Sequence, residues 1–162
     1  MKDLLSIVSH FQLQGTVQEI NPLGAGLIND TYKVSTLEAD APDYVLQRIN
    51  HAIFQNVEML QANINAVTTH IRKKLEEKGE KDIERKVLHF FPADTGKTYW
   101  HDGESYWRVM AFIPNARTYE TVNPEYSYYA GVAFGNFQAM LADIPDKPVS
   151  YTHLRAHETL RH

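Results

Sequence analysis

One amphipathic segment limits the folds open to this sequence: Val57, Leu60, Ile64, Val67, Ile71 and Leu75 recur at steps of three and four, with Lys, Arg and Glu opposite. The spacing predicts a long helix that Gly79 ends. Short stretches rich in β-branched and aromatic residues flank it. Residues 17–21, 31–36 and 44–50 come before the helix, and 87–91, 97–100 and 105–112 come after; each reads as a strand. Turn chemistry separates them: Gly24 and Gly26, the polar run 38–43 with Pro42, and Asp102-Gly103. Strands on both sides of one helix, joined by short connections, fit a single antiparallel sheet covered on one face by that helix, an α+β fold. A short helix is expected at residues 3–12, where Leu4, Leu5, Val8 and Phe11 share a face. Another is expected from the cap Asn123 and Pro124 onward. Its Tyr126, Tyr129, Ala130, Ala133, Phe134, Phe137 and Leu141 form a broad apolar stripe, the pattern of a helix meant for burial in a larger body.

The 162 residues suffice for one globular domain or for part of a larger one. A net charge of −4 carries no electrostatic footprint for nucleic acid, and the basic run Arg72-Lys73-Lys74 is diluted at once by Glu76 and Glu77. The absence of cysteine excludes disulfides, thiolate catalysis and cysteine-bound zinc. Residues 1–13 do not read as a signal peptide, and no stretch reaches membrane-spanning length. Neither nucleic acid nor membrane is therefore expected as a partner, and a cytoplasmic protein is the expectation.

Chemistry concentrates around Gly24 and Gly26. A Gly-x-Gly pair between two strand segments allows a tight turn and lets backbone N–H groups approach a phosphate, although the same pair also shapes ordinary hairpins. Asn29 and Thr31 follow with side-chain polar atoms, as ligand contacts or as local turn caps. In the segment Val45-Leu46-Gln47-Arg48, alternation puts Val45 and Gln47 on one face and Leu46 and Arg48 on the other. Arg48 is the cation of the segment, yet also an ordinary solvated strand residue. The aromatic group Tyr99, Trp100, Tyr106 and Trp107 suits sheet packing better than a ligand platform.

Taken together, several motifs resemble the amino-terminal part of the aminoglycoside phosphotransferase and choline kinase superfamily, with its protein-kinase-like fold. They are Gly24-Ala25-Gly26-Leu27-Ile28-Asn29-Asp30-Thr31-Tyr32, Tyr44-Val45-Leu46-Gln47-Arg48-Ile49-Asn50, Phe54, Asn63-Ile64, Tyr106-Trp107-Arg108-Val109, Phe112-Ile113-Pro114 and Ala133-Phe134-Gly135-Asn136-Phe137. Within the superfamily the sequence is most similar to bacterial N-acetylhexosamine 1-kinase-like proteins. The resemblance implies ATP and Mg2+ as cofactors and transfer of the γ-phosphoryl group to a hydroxyl of an amino-sugar-like small molecule. Gly24 and Gly26 would cover the phosphates. Kinases carry a lysine on the third strand to hold phosphates; with Val45 in the adenine pocket, Gln47 takes that position, and Arg48 reaches phosphates only through a bulge or shifted register. Glu58 would be the helix carboxylate directed at that strand, or a charge complementing the helix dipole. Phe112 and Ile113 would lie in the hinge whose backbone meets the adenine edge.

The resemblance implies a nucleotide-binding lobe over residues 1–113, then a hinge and the first helix of a truncated second lobe over 114–146. Phosphoryl transfer of this kind needs a catalytic aspartate and a metal-binding aspartate; beyond the hinge the sequence offers Asp143 and Asp146, without a His-Gly-Asp-like loop. An inactive nucleotide-binding part is thus expected, with a non-catalytic nucleotide- or partner-binding lobe as the alternative. Residues Val149 to Thr159 resemble a frame translated from sequencing-adapter DNA, so 147–162 are expected to be non-native. A metal held by His153 and His157, four residues apart, lacks a third ligand.

Overall fold

Alternation of side chains along three neighbouring strands sets the frame of the molecule. A computed structural model describes residues 3–24, 28–117, 119, 121 and 123–145. Its strands are β1 (Val17–Pro22), β2 (Asp30–Thr36), β3 (Tyr44–Ile49), β4 (Phe90–Phe91), β5 (Trp100–His101) and β6 (Tyr106–Ala111), and its helices α1 (Leu4–Val8), α2 (Val57–Glu77) and α3 (Pro124–Leu141). They form one antiparallel sheet in the order β1-β2-β3-β6-β4, with β5 also on β6. The α+β class expected from the sequence is present. Gly26 and the tail 147–162 lie outside the described residues.

Two strands are shorter than expected, and β6 explains why. β3 occupies one edge of β6 along its full length, from Ile49 opposite Tyr106 to Tyr44 opposite Ala111. β4 and β5 must divide the other edge, Phe90 and Phe91 pairing with Met110 and Val109, Trp100 and His101 with Trp107 and Tyr106. Two residues each is what that division leaves. Likewise α1 stops at Val8, and Phe11 instead bridges to Ala93.

The main core lies on one sheet face. Val34, Tyr44, Leu46, Trp107 and Val109 are buried there against Ile7, Val8 and Phe11 of the N-terminal segment. None of the residues of this cluster comes from α2, which meets the opposite face of the sheet, where Gln61 accepts from Arg108 of β6. Instead the second half of α2 buries Ile71 and Leu75 on Val87, with Met140 and Leu141 of α3 packed beside them. The first half turns the polar Gln61 inward at 2 % exposure. Helix α3 has no buried residue, and Tyr128, Tyr129 and Phe134 are exposed. Lys74 and His70 of α2 hold Asp143 just beyond its end.

Local geometry supports these placements. Asn123 Oδ1 caps α3 by accepting from the Tyr126 N–H at 2.8 Å, and Asn56 Oδ1 caps α2 by accepting from the Met59 N–H at 2.9 Å. Gly15 takes φ +84°, and a Cβ there would stand 2.7 Å from the Ala41 Cβ, so this turn admits only glycine. Asp43, at the entry to β3, accepts from the Thr36 N–H at 3.0 Å and pairs with Lys33 at 2.9 Å. Burial pushes its carboxyl up, but the hydrogen bonds from Lys33 and Thr36 outweigh burial and hold it below the ordinary 3.8. A carboxyl depressed on folding contributes stability that is present above its unfolded pKa and lost as pH falls through the folded value. Urea unfolding of the wild type and of Asp43→Asn should therefore differ by about 1 kcal/mol at pH 6, and the difference should shrink steadily as pH falls below about 4. An unchanged difference at pH 3 would show that Asp43 is not held in its charged form.

Candidate functional site

The register of β2, β3 and β6 is regular across the residues of interest. Thr31 stands opposite Gln47, which stands opposite Arg108; on the alternate face Asp30 stands opposite Arg48, which stands opposite Trp107. No bulge intervenes, so Gln47 and Arg48 point to opposite faces. Because Trp107 and Val109 are in the α1-side core, Thr31, Gln47 and Arg108 face the other way, toward α2.

On that face a chain of hydrogen bonds joins sheet to helix. Gln47 Nε2 donates to Thr31 Oγ1 at 3.0 Å, and Gln47 Oε1 accepts from Arg108 Nε at 2.9 Å and Nη2 at 2.6 Å. Arg108 Nη1 donates to Gln61 Oε1 at 2.8 Å. Gln61 Nε2 then donates to the Thr98 carbonyl at 3.0 Å, and Asn65 Nδ2 to Thr98 Oγ1 at 2.9 Å. The guanidinium also lies 5.5 Å from the centre of the Phe90 ring. Burial lowers the Arg108 pKa from its usual value, because removal from water penalises the charged form. Its acceptors are neutral amide oxygens, and no carboxylate pairs with it among the described residues.

The remaining sequence-derived candidates fall into distinct places. Arg48 is exposed and paired with Asp30, its Nε donating to Oδ2 at 2.7 Å. It lines a shallow cleft of about 250 Å³ with Ile28, Asn50 and His51. Asn29 Oδ1 accepts from the Asn50 N–H at 2.8 Å, tying the glycine turn to the end of β3. Gly24 takes φ +72°, a left-handed conformation that glycine adopts without strain. Glu58 is exposed on an ion pair with Lys97 at 3.1 Å and does not meet Gln47; the α2 side chain that reaches the strand network is Gln61, three residues on. The Phe112 N–H donates to the Asp43 carbonyl at 3.1 Å, and Lys33 Nζ lies 4.6 Å from the centre of the Phe112 ring. Ile113 follows without a side-chain hydrogen bond of its own, and Arg85 Nη1 donates to the next carbonyl, that of Pro114, at 2.6 Å. Trp107 sits in the core and Trp100 stacks on His10 at 3.9 Å, in keeping with packing roles for the aromatic group.

The structure thus brings together Thr31 and Gln47 and leaves Arg48, Glu58 and Asn29 elsewhere. Arg108 and Gln61 are the members that sequence reasoning did not single out. Both carried a signal. Arg108 is a charge between two apolar strand residues, and Gln61 lies four residues after Val57 on the inward side of the helix. Among the described residues no group of three or more His, Asp or Glu is placed to hold a metal ion, and no helix is long and apolar enough to cross a membrane. Compared with models of known protein families, the chain matches none.

Proposed function

We propose that this chain is the nucleotide-binding part of an ATP-dependent small-molecule phosphotransferase whose acceptor is an amino sugar of the N-acetylhexosamine kind. The observation that supports this reading is the polar bridge from Gln47 on β3 through Arg108 to Gln61 on α2, beginning beside Thr31 at the mouth of the glycine hairpin. In a protein-kinase-like lobe a link between the third strand and the long helix stands where the nucleotide phosphates are held. Here amides and a guanidinium take the place of a lysine and a glutamate. Donors of this kind suit phosphate oxygens. The chain's own residues bind and orient: the hairpin of Gly24 covers, Thr31 and Arg108 meet charge, and the backbone around Ile113 meets the base.

A second reading, a lobe that binds nucleotide without catalysis, is favoured by Asp143, which is already engaged on the surface of α2 by Lys74 and His70. Both readings require nucleotide binding. Thermal unfolding with ATP and Mg2+ tests them, since a ligand confined to the folded form at ten times its Kd adds about 1.4 kcal/mol of stability. An unfolding midpoint that millimolar ATP leaves unchanged would overturn both.

A further inference from the structure

We propose that α3 pairs with the α3 of a second copy of this chain, antiparallel about a two-fold axis, through the stripe from Tyr126 to Phe137. This pairing is independent of the nucleotide reading. Only the last turn of the helix is held by its own chain: Met140 and Leu141 pack beside Ile71, Leu75 and Val87, while every residue from Pro124 to Ala139 is exposed. From Tyr126 to Leu141 the helix carries no charge. A contiguous apolar surface of this kind marks an interaction site rather than a solvated face. Self-complementarity identifies the partner. Tyr126, Tyr129, Ala130, Ala133, Phe134 and Phe137 share one side of the helix and are symmetric about the midpoint between Gly131 and Val132. Tyr126 mirrors Phe137, Tyr129 mirrors Phe134, and Ala130 mirrors Ala133. In an antiparallel two-fold pair, residues that mirror one another are the ones that meet. Each ring therefore finds a ring of the other copy, and the alanines let the helix axes approach at the centre. Glu125 falls opposite Gln138, whereas a parallel pair would set it against the same carboxylate of the other copy. The four rings are 40, 59, 70 and 42 % exposed, which at about 200 Å² for each side chain offers on the order of 400 Å² per copy. With the alanines and the rim added, two copies reach about 1,000 Å², the area that a specific interface requires.

Sedimentation equilibrium of the whole chain tests the pairing. A dimer should form at micromolar concentrations and nothing larger, because a two-fold contact closes on itself. Ala130→Glu and Ala133→Lys should each weaken the dimer at least about tenfold, since each brings bulk and two like charges to the centre of the contact. An equimolar mixture of the two should dimerise more tightly than either variant alone, because the new carboxylate of one then stands opposite the new ammonium of the other. Tyr128→Lys, on the opposite side of the helix, should dimerise like the wild type. Since α3 meets its own chain only at its last turn, these variants should keep the wild-type circular dichroism and unfolding midpoint, which are measured alongside. A wild type that stays monomeric while binding a hydrophobic dye would overturn the proposal and show that something other than a second copy covers α3. Assemblies that grow beyond the dimer, dissociation by Tyr128→Lys as strong as by the alanine variants, or no recovery in the mixture would overturn it as well.

Discussion

Trp107→Ala is expected to lower the stability of the fold by about 3–5 kcal/mol, the range for removing a large aromatic from a packed core. Trp107 is 2 % exposed and sits on β6, the strand that bonds to β3 on one edge and to β4 and β5 on the other. Its ring joins the cluster of Val34, Leu46 and Val109 beneath Ile7, Val8 and Phe11, so truncation opens a cavity where several elements meet. The indole N–H also donates to Asp102 Oδ2 at 2.9 Å, which pins the turn before β6. Trp107→Phe separates the two contributions. It retains most of the apolar area and loses the hydrogen bond, so its cost should be about 1–2 kcal/mol. Urea unfolding followed by circular dichroism measures both, with unchanged slopes required for the comparison. A cost below about 1 kcal/mol for the alanine variant would mean that this side of the sheet is not the centre of the fold.

What the sequence conveyed well was period and punctuation. β2, β3 and β6 fall within a residue or two of the stretches 31–36, 44–50 and 105–112, because each combines β-branched or aromatic residues with a clear turn before it. Helix α2 is as legible, through its repeat and the Gly79 that follows its end with φ +65°. Competition was not legible: the division of one edge of β6 between β4 and β5 is set by tertiary pairing, which no local pattern encodes. The same limit applies to the site. Alternation correctly separated Gln47 from Arg48, and the regular register shows which face each takes. The resemblance implies a carboxylate on α2, Glu58; the helix side chain that meets the strand network is the amide of Gln61, because the strand presents a cation already engaged by another amide. An interaction that spans 47 residues of chain between Gln61 and Arg108 leaves no local trace beyond two polar residues on inward faces.

Gln47→Leu should cost about 2–4 kcal/mol, although it replaces a polar residue by an apolar one of similar size. Gln47 accepts two of the three hydrogen bonds that Arg108 makes and donates to Thr31. Without it the guanidinium keeps Gln61 alone, and a half-buried charge stripped of acceptors is among the costlier defects in a protein. Arg108→Met should be milder, about 1–2 kcal/mol, because it removes the charge along with its contacts and leaves an apolar stem beside Phe90. The order of these two costs is the informative quantity. In an Arg108→Met background, Gln47→Leu should fall to about 1 kcal/mol or less, a coupling energy of at least about 1 kcal/mol between neighbours in one network. Strictly additive costs in a urea double-mutant cycle would mean that water, rather than Gln47, satisfies the guanidinium. A strongly coupled result carries a functional consequence. The amides would then be holding in place a charge that they do not neutralise, at a cost in stability; such an arrangement makes physical sense if a negatively charged ligand completes it.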